Sequence, residues 1–181
     1  MGANWWFVVG PWAGSVEATL TAAQDDFLAS DELMAYLPGR EALVGTAEMM
    51  LSTPGLPMPD QARAQLQTAV DRLGPDGRPA TRLDAVILTA PNLGTGTILD
   101  VGRVDADERG PGEPVPDGRR GPVVSPLPSD LIEQLFGTIT PTTDDVAHVE
   151  QSLTELAISR SDGRYVITYA DGSESAVVFF G

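Results

Sequence analysis

The sequence predicts an α+β fold: a single domain over residues 1–181, with a mainly antiparallel sheet of about four to five strands, packed helices and a C-terminal β-hairpin. Three observations predict it. The last stretch, Tyr165 to Gly181, sets two apolar runs on either side of Asp171-Gly172, the strongest short-range hairpin signal. Apolar residues recur at helical spacing in three other stretches, 16–29, 60–73 and 141–156. Trp5 to Val9 is an aromatic and β-branched run closed by Gly10-Pro11, which is strand composition ending at a breaker pair.

Taken in order, the Trp5–Val9 strand leads to Ser15, a plausible N-cap, with Glu17 in the first turn behind it. Val16, Leu20, Ala23 and Phe27 are the apolar stripe of the first helix, and Glu17, Gln24 and Asp25 its polar face. A short helical turn follows over Asp31 to Leu37, then a weaker helix over Arg40 to Leu51 that carries Gly45 in its middle. Asp60 to Leu73 is a better helix, with Ala62, Leu66, Ala69, Val70 and Leu73 as its stripe and Gly74 beyond its end. The apolar run Ala85-Val86-Ile87-Leu88 reads as a buried strand, and Thr97 to Val101 as a second one. Gly102 to Pro126, rich in glycine and proline, reads as a long mobile loop inserted within the domain.

Order resumes over Leu127 to Phe136, with Ser129 as a plausible helix cap, Leu131, Ile132, Leu135 and Phe136 as the apolar side, and Gly137 as the end of the helix. Thr140-Pro141 opens another, with Thr140 as N-cap, proline at the first helical position and Asp144-Asp145 near the positive helix end. Val146, Val149, Leu153 and Leu156 form its stripe. In the terminal hairpin, a turn centred on Asp171-Gly172 places Ala170 opposite Ser173, Ile167 opposite Ala176, Val166 opposite Val177 and Tyr165 opposite Val178.

Ile98-Leu99-Asp100, then Leu135-Phe136-Gly137-Thr138 with Pro141-Thr142 and Asp144-Asp145-Val146, then Tyr169-Ala170-Asp171-Gly172 and Val178-Phe179-Phe180-Gly181, form an ordered set of motifs. This set resembles a family of small, acidic, uncharacterised actinobacterial proteins, over the part of the chain from about Thr97 onward. The resemblance implies no activity at any position. In size and charge the chain is also loosely similar to immunity proteins of bacterial toxin systems, an analogy and not a motif match.

Composition excludes more than it assigns. There is no cysteine, so no thiol nucleophile, disulfide framework or Cys-ligated metal. A single histidine, His148, rules out His-rich zinc sites. The Gly94-Thr95-Gly96 segment lacks the lysine a phosphate loop needs, and the chain has no lysine anywhere. That absence, together with abundant Ala, Gly, Pro and Arg, points to a GC-rich genome. No Gly-x-Ser-x-Gly elbow occurs. The acidic pairs lack the spacing of a calcium loop. No metal, cofactor or catalytic set is therefore expected; Asp100, Asp144 and His148 are the residues an unrecognised enzyme would use.

Charge is the informative quantity. Twenty-six acidic residues against 11 basic ones give a net charge of −15. Such a field repels nucleic acid and anionic membrane and speeds encounter with a basic protein. The absence of a basic leader and of any apolar run of about 20 residues predicts a cytoplasmic protein. The expected function is non-enzymatic binding: an immunity or inhibitor protein that occludes a basic protein partner, or else an accessory subunit of a larger assembly. The expected contact residues are Asp25, Asp26, Asp31 and Glu32, four acids within eight positions, with Trp5, Trp6 and Trp12 as aromatic anchors.

Overall fold

The C-terminal hairpin forms the middle of the sheet. In a computed structural model of the protein, residues 6–89, 97–108, 123–156 and 162–181 are described. The chain is α+β, and its strands are β1 (Phe7–Pro11), β2 (Arg103–Val104), β3 (Val123–Pro126), β4 (Asp162–Ala170) and β5 (Ser173–Phe180). They lie in the order β1-β5-β4-β3-β2. β5 pairs antiparallel with both β1 and β4, whereas β3 runs parallel to β4 and to β2, so the sheet is mixed. The turn between β4 and β5 holds Asp171 at φ 51° and Gly172 at φ 80°. These left-handed values are what a two-residue hairpin turn demands, and aspartate and glycine tolerate them best.

Beyond that turn the register differs from the expected one. Ala170 faces Ser173, but Thr168 faces Ala176, Ile167 faces Val177, Val166 faces Val178 and Tyr165 faces Phe179. Ser175 is left unpaired as a bulge; its carbonyl accepts the Trp12 N–H, and its hydroxyl lies 3.3 Å from Thr168 Oγ1. One extra residue shifts everything beyond it by one place. Tyr165 consequently shares a face with Phe179, at a ring separation of 6.2 Å, and not with Val178 and Phe180.

The 102–126 segment also departs from expectation, because strands form at both its ends. Val123 and Val124 are fully buried, and their β-branched side chains complete the sheet beside β4. Residues 109–122 lie outside the described residues.

One sheet face packs on α6 (Ser129–Phe136), α7 (Thr143–His148) and α8 (Glu150–Leu156). Its core joins Val166, Val178 and Phe180 to Leu127, Val146 and Leu153, with Leu131, Leu135, Phe136 and Phe7 packed around them. Gly137 ends α6 at φ 69°, where a left-handed residue is expected. α7 begins two residues later than Thr140-Pro141 suggests. Thr142 is the N-cap: Asp145 N–H donates to its hydroxyl, and the Asp145 carboxylate accepts the Thr142 N–H at 2.8 Å. This reciprocal capping box satisfies two end groups at once and outweighs the proline signal. Ser129 is the first residue of α6 and not its cap; its hydroxyl donates to Glu108 Oε1 at 2.7 Å.

The first helix, α1 (Val16–Ala29), starts as predicted, with Ser15 Oγ accepting the Ala18 N–H. It crosses the sheet at Gly10, where a Cβ would stand 2.8 Å from Thr19 Cγ2. Gln24, expected on the polar face, is instead 1% exposed. Its Nε2 donates to the carbonyls of Ile98 and Val101, both at 2.9 Å. Those bonds explain a second departure: residues 97–101 are not a strand but a 3-10 turn over Ile98–Asp100, since a side-chain amide takes the carbonyls a neighbouring strand would use.

Burial, with the negative charges of Glu17 and Asp105 behind it, pushes the Tyr165 phenol up to about 12. Folding thus favours the neutral phenol. That contribution is complete below the ordinary value of about 10 and is lost as pH rises toward 12. Thermal melts across this interval should show an alkaline loss of stability that Tyr165→Phe makes shallower. The chain has no lysine to titrate alongside it. An equal slope in the variant would contradict the assignment.

Contacts in the chain divide it into two units, Met1–Gln24 with Gly96–Gly181, and Asp25–Thr95. The sheet and its helices belong to the first. The second is helical: the end of α1, then α2 (Asp31–Tyr36), α3 (Arg40–Ser52), α4 (Asp60–Asp71) and α5 (Arg82–Thr89). Its core is Leu43, Ala47, Leu66, Ala69, Leu73 and Leu88. Here residues 85–88 are helix and not strand. Asp84 N–H donates to Thr81 Oγ1 at 3.1 Å, which caps the helix, and Ala85 and Leu88 are buried three residues apart.

Candidate functional site

The four carboxylates singled out in the sequence lie where α1 gives way to α2. Ser30 makes the joint: its hydroxyl donates to the Phe27 carbonyl at 2.7 Å and accepts the Leu33 N–H at 3.3 Å. One side chain thereby closes one helix and caps the next. Phe27 and Leu33 are buried, and the Phe27 ring lies 6.3 Å from that of Tyr36. Asp25 and Asp26 project from the last residues of α1, Asp31 and Glu32 from the first turn of α2, and all four are exposed. The surface therefore rests on short elements anchored by apolar neighbours.

Arg78 braces this joint, and sequence reasoning missed it. Its guanidinium donates to the carbonyls of Leu28 at 3.1 Å and Ser30 at 2.6 Å, and to Asp31 Oδ1 at 3.0 Å. Asp76 Oδ2 lies 3.6 Å from its Nε. Carbonyls at a helix end need such donors. The Asp31 side chain is fully exposed, so the ion pair adds little by itself, and the brace resides in the two carbonyl bonds. Forty-seven positions separate Arg78 from Asp31, and no local pattern marks the pairing.

The helix field treats the two acid pairs differently. Asp31 and Glu32 stand at the positive end of α2, which favours them. Asp25 and Asp26 stand toward the negative end of α1, whose own last turn holds no basic residue, so the helix field opposes them and the Arg78 guanidinium on the Leu28 carbonyl offsets part of that opposition. Neither of these two makes an ion pair or side-chain hydrogen bond among the described residues.

Of the expected aromatic anchors, Trp6 and Trp12 fall in the other unit. Trp5 lies outside the described residues. Trp6 is half-buried, and its indole spreads over two glycines. A Cβ on Gly181 would come within 2.7 Å of its Cζ2, and one on Gly163 within 3.2 Å. Its backbone pairs with Gly181 in both directions. Trp12 is half-buried and tied to the Ser175 bulge through its N–H. Trp6 therefore serves packing within the sheet unit, and the expected contact residues do not share one unit.

The residues considered for chemistry are placed as follows. His148 is exposed, and its Nδ1 donates to the Asp144 backbone carbonyl at 2.6 Å, not to the carboxylate. Asp145 is held below the usual carboxylate range, first by the Thr142 N–H and then by the Thr142 hydroxyl. Its charge is committed to capping α7. Asp100 ends the 3-10 turn and is half-buried. Among the described residues no three or more metal-ligating side chains gather, and no helix is long and apolar enough to cross a membrane. No protein-family model matches the chain, no curated protein is detectably similar to it in sequence, and no solved structure is detectably similar to it in fold.

Proposed function

We propose that the chain is a non-enzymatic binding protein that occludes a basic protein partner, in the manner of an immunity or inhibitor protein of a bacterial toxin system. The observation that supports this reading best is the Asp25-Asp26 pair. These two carboxylates are exposed and lie where their own helix field disfavours them. Neither makes an ion pair or a side-chain hydrogen bond among the described residues, so both stand open to a cationic partner. Asp31 and Glu32, exposed in the first turn of the next helix, add to the negative charge of the joint, and the net charge of −15 supplies the long-range field. That field disfavours nucleic acid as the partner.

The test is capture from cells of the source organism with the tagged chain, followed by salt titration of the complex. A basic protein should be recovered, and the product of a neighbouring gene is the first candidate. Binding should weaken steeply as the Debye length shrinks from about 10 Å to about 3 Å. Recovery of no protein, or binding indifferent to salt, would overturn the reading.

A further inference from the structure

We draw no further inference here: the strongest candidate, the buried Asp84 carboxylate in the first turn of α5, whose Oδ2 has no hydrogen-bond partner among the described residues, carries nothing because the positive end of its own helix accounts for its charge and no group of metal-ligating side chains gathers among those residues.

Discussion

Replacing Phe180 with alanine should destabilise the fold by about 3–5 kcal/mol. The side chain is completely buried near the end of β5. It faces Arg164 on one neighbouring strand and Phe7 on the other. It also belongs to the cluster that joins the sheet to α6, α7 and α8. Truncation removes the transfer energy of the ring and leaves a cavity bounded by strands on both sides, which cannot easily close around it. For a chain of this size the melting temperature should fall by about 10 °C. A shift of only about 1 °C would mean that this core is not formed as described.

Gly163→Val should cost about 3 kcal/mol for the opposite reason, since there is no room to fill. A Cβ at this position would stand 2.7 Å from Val124 Cγ1, 3.2 Å from the Phe180 carbonyl oxygen and 3.2 Å from Trp6 Cζ2. Overpacking a close-packed interior costs about 1–3 kcal/mol when neighbours can shift. Here one neighbour is backbone, and another is an indole seated on two glycines. Gly45→Val is the comparison: nothing lies within 4 Å of a Cβ there, so only the modest helix propensities of the two residues are exchanged. Equal melting temperatures for the two variants would contradict the packing of Trp6 across Gly163.

The fold was readable where the signal is local. Asp171-Gly172 marks its own turn, Ser15 its cap and Gly137 its helix end, because each is dictated by backbone conformation within a few residues. Local pattern misleads where a distant residue decides. A single bulge at Ser175, tied to Trp12, moved the hairpin register by one. Gln24 converts 97–101 from an apparent strand to a turn from more than seventy positions away. The Ala85–Leu88 run is ambiguous by periodicity, and the local mark of its helix is Thr81 with Asp84 three residues on. At the candidate site the four acids could be seen in the sequence, and their exposure goes with the buried Phe27 that follows the first pair and the buried Leu33 that follows the second. The brace by Arg78 could not be seen, since it joins segments with no sequence relation.

The proposed function gives the acids at the α1–α2 joint one task, the attraction of a basic partner. This role is tested most directly by the association rate of the variant Asp25→Asn, Asp26→Asn, Asp31→Asn, Glu32→Gln with the basic protein captured by the wild-type chain. The fold should survive these changes, because all four side chains are exposed and Arg78 keeps its bonds to the Leu28 and Ser30 carbonyls. At low salt, association should slow by about tenfold while dissociation changes less, and the gap between variant and wild type should close as salt is raised. An association rate equal to wild type at low salt, with an unchanged melting temperature, would contradict that role.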